Sequence, residues 1–354
     1  MSRLRRAGFT AAVALVLTAV TACGSGSSGE SPSLDGPLPT EVPPVGTKLV
    51  VADQGERQQV ALEASGQLES LLFETEFATF QGGAPSILEA FRADAVDVAW
   101  AGEIMAVQSL VADDDVQVVA ALQTDNGLNL GIAPGASDIG SLADLKGRRI
   151  GYAEGTSQQA FVLRALDKAG LSVDDVQLTP MALPDFPDAL RSNQIDAAPM
   201  SEPVFSRYMQ NPGATALSRA ETADLSDGLS YLYSSKRALS DPATAAAIRS
   251  YVASYVRAQD WINDNRDAWI DAYFVTSQGL TAADGARILD AAGKTTFPRL
   301  DENLVATEQH IVDVIDAAGE LPPRPVEAAD AFDLRFDEVI ATTVADIGAG
   351  HDRP

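Results

Sequence analysis

Glu103 and Glu202 are the residues whose type and spacing suggest chemistry most directly, because they occupy the same place in a segment that occurs twice. Residues 90–103 and 189–202 align at a constant offset of 99, and five of the fourteen aligned positions are identical. A carboxylate at each place predicts a pair of acids that face one cleft and hold an ammonium group or an aminopyrimidine. The simpler alternative is an acid at the start of each following helix, where the helix dipole favours negative charge.

A second repeated motif offers groups that suit an anion. Residues 55–59 (Gly-Glu-Arg-Gln-Gln) recur as residues 155–159 (Gly-Thr-Ser-Gln-Gln), with the glycine and both glutamines in register. The second copy brings two hydroxyls, free N–H groups and the positive end of a helix dipole together between a strand and a helix. It therefore predicts an anion site that needs no arginine or lysine, although an ordinary capped turn would show the same pattern.

A pair of glycines, Gly82 and Gly83, is predicted to let the backbone of the first half of the chain approach the same ligand closely. Together with the acids and the two repeated turns, these glycines complete the set of candidate ligand-binding residues. That set is Gln58, Gly82, Gly83, Gly102, Glu103, Gly155, Thr156, Ser157, Gln158 and Glu202.

The sequence predicts neither catalysis nor metal binding. The two histidines, His310 and His351, lie far along the chain from the repeated turns, and Cys23 is the single cysteine. No Gly-x-Ser-x-Gly, Walker loop or His-Glu-x-x-His sequence occurs. The chain is therefore expected to have no catalytic residues, no metal site and no cofactor.

The elements that must position these candidates are predicted to follow the same order in both halves. A strand at 49–52 or 150–153 runs into the glycine-containing turn and a helix. A later helix then leads into a strand, at 96–100 or 195–200, that ends in the carboxylate. A repeat of this length indicates two similar α/β lobes with a cleft between them, not a solenoid. In doubly wound sheets ligands lie beyond the carboxyl ends of the strands, where both motifs are placed.

The N-terminal region is typical of an export signal followed by a tether. Three arginines precede a short apolar run, as in a signal peptide, which we predict over residues 1–22. Residues 20–23 (Val-Thr-Ala-Cys) resemble a bacterial lipobox, so Cys23 is predicted to carry a lipid. Residues 23–47 are predicted to be a flexible tether because they are rich in Gly, Ser and Pro.

The remaining residues are enough for two lobes. Lobe one is predicted to comprise residues 48–124 and 228–354, and lobe two residues 125–227, with crossovers near 122–129 and 217–230. The formal net charge of −25 argues against nucleic acid or an anionic membrane surface as a partner. A single cysteine excludes a disulfide within the chain.

The order of these signals resembles the solute-binding proteins of ABC importers, in the group for aliphatic sulfonates, taurine, nitrate and thiamine-pyrimidine precursors. The resemblance extends over about residues 48–290 and implies an α/β, two-lobed periplasmic-binding-protein-like fold of type II, with lobes joined by two crossover strands. The segments that carry it are residues 82–85 (Gly-Gly-Ala-Pro), 88–90 (Leu-Glu-Ala), 96–99 (Val-Asp-Val-Ala), 102–103 (Gly-Glu), 141–147 (Ser-Leu-Ala-Asp-Leu-Lys-Gly), 155–157 (Gly-Thr-Ser), 195–197 (Ile-Asp-Ala) and 202–203 (Glu-Pro).

The function that this resemblance implies is solute capture. We expect an extracytoplasmic monomer that binds a small sulfonate- or taurine-like solute, works with ABC permease subunits and is held at the cell membrane by its lipid anchor. Two acids beside an anion-binding turn favour an amphoteric solute such as taurine over nitrate or a simple alkanesulfonate. The ligand alternatives are nitrate, bicarbonate or a thiamine-precursor pyrimidine. The alternative classes are a pyrimidine-synthase-like enzyme, whose chemistry needs histidine and cysteine groups that this chain does not place near its repeated turns, and a surface lipoprotein without a transport role.

Overall fold

The computed structural model describes residues 34, 36–80, 83–125, 127–222, 225–317, 319 and 321–351. Two of the residues selected from the sequence, Cys23 and Gly82, lie outside the described residues. The strands are β1 Lys48–Gln54, β2 Glu74–Phe80, β3 Val98–Gly102, β4 Val116–Gln123, β5 Asn129–Ile132, β6 Arg149–Tyr152, β7 Gln177–Pro180, β8 Ala197–Met200, β9 Thr215–Ala216 and β10 Leu229–Ser235.

Helices connect these strands and continue to the C-terminal end. The α-helices are α1 Arg57–Ala64, α2 Gln67–Ser70, α3 Ala84–Arg92, α4 Ile104–Val111, α5 Ser157–Lys168, α6 Phe186–Arg191, α7 Val204–Met209, α8 Arg219–Thr222, α9 Lys236–Ser240, α10 Pro242–Asp264, α11 Arg266–Trp269, α12 Ala282–Ala292, α13 Glu302–Ala317 and α14 Asp337–His351. A π-helix spans Ile270–Ser277. Within the described ranges, none of the helices is both long enough and apolar enough to cross a bilayer.

The two sheets share one topology. Their strand orders are β2-β1-β3-β10-β4 and β7-β6-β8-β5-β9, so the strands correspond position by position. In each sheet the fourth strand, β10 or β5, is antiparallel to both of its neighbours. The chain crosses from one sheet to the other just before each of these strands. Strand β5 of the second sheet follows β4 of the first, and β10 of the first sheet follows β9 of the second. The prediction of two α/β lobes joined by two crossover strands is confirmed; lobe one contains the first sheet and lobe two the second.

A repeated aspartate shows why the two lobes fold alike. The Asp97 carboxylate accepts a hydrogen bond from Val50 N at 2.9 Å, and the Asp196 carboxylate accepts one from Arg149 N at 2.8 Å. Each aspartate ties the strand that follows it, β3 or β8, to the equivalent strand of its own lobe, β1 or β6. Burial acts against the charge of Asp196, but hydrogen bonds from Arg149 hold the pKa of that carboxyl below its usual value. Neither aspartate lines the cavity that lies between the lobes. The aspartate that the two repeats share therefore stabilises the fold of each lobe.

Helix starts show where local sequence signals succeed and where they fail. Helix α10 begins at Pro242, and the Asp241 carboxylate accepts from Thr244 N at 2.8 Å, as the Asp-Pro pair predicts. Ser86 resembles an N-cap for a helix that begins at Ile87, but α3 already begins at Ala84. The Ser86 hydroxyl instead donates to Gly83 O at 3.0 Å, so it bonds a carbonyl before the helix and caps no N–H group.

Among the described residues, three apolar clusters stabilise the protein. Each lobe has a core of its own around its sheet. The third cluster joins the lobes, since Val107 of α4 and Leu163 of α5 pack with Ile311 and Ile315 of α13. Helices α4 and α5 belong to different lobes, so the late helix α13 packs against both.

Part of the predicted tether packs on lobe one. Leu38 is buried in the lobe-one core, and Thr40 O accepts a hydrogen bond from Arg249 Nη2 at 3.0 Å. Composition predicts flexibility for residues 23–47, but it does not reveal that Leu38 is buried in the apolar core of lobe one. The part of the predicted tether around Leu38 and Thr40 is therefore packed on the body.

Candidate functional site

A cavity of about 280 Å³ lies between the lobes. The beginnings of four helices reach its wall, through Arg57 of α1, Gly83 before α3, Glu103 before α4 and Ser157 of α5. Parts of both crossovers line it as well. Because the carboxyl ends of parallel strands meet at one edge of each sheet, the helices that follow them converge on this space.

Most of the residues selected from the sequence reach this wall. Those that line the cavity are Gly83, Gly102, Glu103, Thr156, Ser157, Gln158 and Glu202. Gln58 and Gly155 do not line it, and Gly82 lies outside the described residues. That any of the lining residues contacts a ligand remains a prediction.

Gln58 is buried and serves the packing of α1. Its Nε2 donates to Ala52 O at 2.8 Å, and its Oε1 accepts from the Tyr251 hydroxyl at 3.1 Å. Its backbone N–H donates to the Asp53 carboxylate at 3.0 Å. Both ends of the amide are therefore engaged inside lobe one, and the side chain does not line the cavity.

The Gly-Thr-Ser turn before α5 uses much of its hydrogen-bonding capacity internally. Gly155 N donates to Gln159 Oε1 at 2.8 Å, and the Thr156 hydroxyl donates to Ala153 O at 2.6 Å. The side chain of Gln108, from lobe one, packs beside Gly155. The groups left for a ligand are the N–H groups of Ser157 and Gln158, because those of Gln159 and Ala160 donate to Thr156 O. The turn alone is therefore a weaker anion site than the sequence suggests.

Glu103 hydrogen-bonds to the opposite lobe. The Ser157 hydroxyl donates to Glu103 Oε2 at 3.0 Å, and this bond joins the start of α4 to the start of α5 across the cleft. The side chain is buried, and burial raises the pKa of Glu103 above its usual value. Gly102 permits the contact, because a methyl group on its Cα would lie 2.2 Å from Ser157 Oγ.

Glu202 also has partners of its own. Its Oε2 accepts from Ser206 N at 3.1 Å, and its Oε1 lies 3.3 Å from Arg287 Nη1. Arg287 belongs to α12, which packs in lobe one, so this ion pair is a second link between the lobes. The repeat thus brings both glutamates to the wall, but each carboxyl group already has a partner on the opposite lobe.

Arg57, which is not among the residues predicted from the sequence, supplies a cation to the wall. Arg57 is the first residue of α1, and it aligns with Ser157 when residues 55–59 are aligned with residues 155–159. This alignment is the sequence signal that could have identified it. Its guanidinium carbon lies 5.9 Å, 5.6 Å and 5.8 Å from the ring centres of Trp100, Trp269 and Tyr273. Aromatic faces attract a cation without neutralising its charge.

No carboxylate forms an ion pair with Arg57 in the part of the chain that the structure describes. Asp53, four residues earlier in β1, accepts hydrogen bonds from the N–H groups of Gln58 and Gln59. Burial raises the pKa of Asp53 above its usual value, and these hydrogen bonds and the charge of Arg57 act against that rise. Gln259 of α10 lines the same cavity, is 1% exposed and has an amide Nε2 without a hydrogen-bond partner. A positive charge and an unsatisfied amide in one wall suit an anion with several acceptor oxygens.

Comparison by sequence identifies binding proteins as relatives. Residues 79–234 match the family described as NMT1/THI5 like. The aliphatic sulfonates-binding protein of Escherichia coli strain K12 is 26% identical over 243 residues, which cover 69% of this chain and 74% of that protein.

Comparison of structures identifies the same fold in proteins of known structure. The alkanesulfonate-binding protein SsuA from Xanthomonas axonopodis pv. citri, bound to MOPS, matches with a TM-score of 0.71 and 22% identity, over 81% of this chain and 98% of that one. The periplasmic aliphatic sulphonate binding protein SsuA from Escherichia coli matches with a TM-score of 0.70 and 23% identity, over 81% and 92%. A mutant of the desulfurization enzyme DSZB, in complex with biphenyl-2-sulfinic acid, matches with a TM-score of 0.61 and 17% identity, over 84% and 99%.

These comparisons agree with the two-lobed α/β fold described above. The relatives found by sequence are binding proteins, and the likeness to the enzyme is one of fold alone. The chain is thus similar in sequence to an aliphatic sulfonates-binding protein, shares the two-lobed fold of solved periplasmic sulfonate-binding proteins and contains an NMT1/THI5-like region at residues 79–234.

Proposed function

We propose that this protein is the extracytoplasmic solute-binding component of an ABC importer and that it captures a small organosulfonate between its lobes. The observation that carries the proposal is Arg57, a guanidinium in the cavity wall without a carboxylate partner among the described residues. A charge that is withdrawn from water requires a counter-charge. A sulfonate supplies one because it stays ionised throughout the pH range in which proteins are folded.

The rest of the wall suits a short organic chain. Leu122, Leu229 and Ile288 line the cavity and offer apolar surface to the carbon atoms of a ligand. Nitrate and bicarbonate carry a negative charge but have no carbon chain to cover this surface. A thiamine-precursor pyrimidine covers it but brings no anion to Arg57. An alkanesulfonate satisfies both parts of the wall.

Ethanesulfonate is therefore expected to bind more tightly than nitrate, bicarbonate or an aminopyrimidine. A ligand at about 100 times its dissociation constant stabilises the folded state that binds it by roughly 2.7 kcal/mol, which raises the melting temperature by several degrees. Thermal melts with each compound, followed by calorimetric titration of those that raise the melting temperature, test this expectation. Sodium chloride at equal ionic strength is the control. Stabilisation by the pyrimidine alone, or by none of the compounds, would contradict the proposed ligand class.

Release of the ligand requires the lobes to separate. The two crossovers are the connections about which the lobes would rotate, as in other periplasmic binding proteins. The contacts of Glu103 with Ser157 and of Glu202 with Arg287 link the lobes in this arrangement, so opening must break them. We expect the permease subunits to recognise the surface that both lobes form together, and the binding protein to act as a monomer.

A binding role is favoured over an enzymatic one. Among the described residues that line the cavity there is neither a cysteine nor a histidine. A pyrimidine-synthase-like reaction would need such groups beside its substrate. The proposal therefore assigns the cavity to capture alone.

The lipid anchor at Cys23 is a further part of the proposal and rests on the lipobox-like sequence that ends there. Cys23→Ala removes the only thiol that a lipid could modify, so the variant should move from the membrane fraction to the soluble extract. Cell fractionation of wild type and variant measures this, and equal melting temperatures establish that both are folded. A variant that stays with the membranes would contradict the anchor.

A further inference from the structure

Gln278, the residue that follows the π-helix, has hydrogen-bond partners in both lobes. Its backbone carbonyl accepts from Arg207 Nη2 at 2.7 Å, and its side-chain Oε1 lies 3.2 Å from the same nitrogen. Its Nε2 donates to Gly55 O at 2.8 Å. Arg207 belongs to α7, which packs in lobe two, whereas β1 and the π-helix pack in lobe one. One residue therefore connects the turn that precedes Arg57 with the opposite lobe.

The turn at Gly55 and Glu56 is fixed by the same segment. The Ser277 hydroxyl donates to Glu56 Oε2 at 3.0 Å, next to the bond from Gln278 to Gly55. The turn leads directly into Arg57, the first residue of α1. Residues 277 and 278 thus help to position the guanidinium that we assign to the anion.

A row of polar contacts joins α7 to α12 beside this connection. Glu202 Oε1 lies 3.3 Å from Arg287 Nη1, and Arg287 Nη2 also donates to the Ser206 hydroxyl. Gln210 Nε2 donates to Asp284 Oδ2 at 3.2 Å. Residues 202, 206 and 210 recur at intervals of four and residues 284 and 287 are three apart, so each set lies along one side of its helix. The two lobes therefore meet here along matched polar faces.

These contacts differ in kind from the packing of α13 against both lobes. Arg207, Gln210 and Arg287 are exposed, whereas α13 contacts α4 and α5 through a buried apolar cluster. Exposed polar groups that separate regain hydrogen bonds from water, so such contacts break and re-form at low cost. Separating an apolar contact instead exposes its surface to water, which is unfavourable. The polar side of the interface is thus the one suited to repeated opening.

We propose that Arg207 and Gln278 form a latch between the lobes that retains the bound solute and thereby sets its rate of release. The inference rests on the proposed function, because it assumes that the cavity captures a solute. Neither residue lines the cavity, so the latch acts through the position of lobe two and of the turn before Arg57. Arg207 and Gln278 are therefore positioning residues and do not contact the ligand.

A latch of this kind affects release more than capture. The solute enters while the lobes are apart, so the bond between Arg207 and Gln278 is not yet formed when the solute meets the protein. The bond must break before the solute can leave. Loss of the latch should therefore raise the dissociation rate constant and leave the association rate constant unchanged.

Arg207→Met keeps the length of the side chain but removes its donors. We expect ethanesulfonate to dissociate roughly three to ten times faster from this variant, a modest effect because the lost bond is charged but exposed. The association rate constant should stay within about twofold of the wild-type value. Stopped-flow mixing at several ethanesulfonate concentrations measures both constants. Tryptophan fluorescence supplies the signal, since Trp100 lines the cavity.

Three further variants make the test specific. Arg207→Lys keeps the charge and can still donate to Gln278 O, so it should restore part of the slow release. Gln278→Ala loses the side-chain bonds to Arg207 and Gly55 and should also release ethanesulfonate faster. Arg191→Met is the matched control, because Arg191 is an exposed arginine of lobe two that does not line the cavity. Equal melting temperatures of the ligand-free variants establish that all are folded.

Two results would overturn the latch and leave solute capture intact. One is an Arg207→Met variant that releases ethanesulfonate at the wild-type rate, or whose only change is slower association. The other is an equal acceleration in Arg191→Met, which would attribute the effect to the loss of positive charge from lobe two. If the wild type does not bind ethanesulfonate, the proposed function fails, and this inference fails with it.

Discussion

Replacing Arg57 by glutamine is expected to weaken ethanesulfonate binding by roughly 30-fold to more than 1,000-fold. The change leaves a buried anion without its cation, a loss that typically costs about 2 to 5 kcal/mol. The rings of Trp100, Trp269 and Tyr273 cannot replace the guanidinium, because their faces carry negative charge density. Calorimetric titration of the variant at one fixed pH measures the effect.

Arg257→Gln is the matched control for this prediction. Arg257 lies on α10 of the same lobe, its side chain is 39% exposed, and it does not line the cavity. Its variant should bind ethanesulfonate as the wild type does. Wild-type affinity in Arg57→Gln would mean that the anion binds elsewhere, with the N–H groups at the start of α5 as the next candidate.

Gly228→Ala is expected to lower the free energy of unfolding by about 3 kcal/mol or more. Gly228 has a φ of +64°, and a methyl group on it would lie 1.9 Å from Thr124 O. Thr124 N also donates to Gly228 O at 3.1 Å, so the two crossovers lie side by side here. The obstacle is backbone, which cannot rotate aside as a side chain can, and the left-handed conformation adds its own cost of about 1 to 2 kcal/mol.

Gly170→Ala separates these two contributions. Gly170 has a φ of +66°, but no heavy atom lies within 4 Å of an added methyl group. Its variant should lose only the conformational part, about 1 to 2 kcal/mol. Urea unfolding of both variants compares them, and equal losses would show that the crossovers shift apart and accommodate the methyl group without a measurable cost.

The two repeats determined the plan of the fold from the sequence alone. Residues 90–103 and 189–202 predicted equivalent lobes, and the two sheets correspond strand by strand. This succeeded because apolar strands, glycine-containing turns and helix starts are set by residues close together in the chain. Strand ends that meet at one edge of a sheet then bring Glu103, Glu202 and Ser157 to the cavity wall.

The partners of these side chains were decided only by the tertiary structure. Glu103 bonds Ser157 across a separation of 54 residues, and Glu202 pairs with Arg287 across 85. Nothing in a strand or helix indicates which residue of the other lobe will lie opposite it, because that depends on how the lobes pack. The alignment of the repeats places Arg57 at a helix start. The aromatic rings that surround its guanidinium come from β3, α11 and the π-helix, which only the tertiary structure brings together. The position of the cleft could therefore be predicted from local sequence signals that occur in both repeats. The charge of the cleft could not, because its walls are formed by residues from distant parts of the chain.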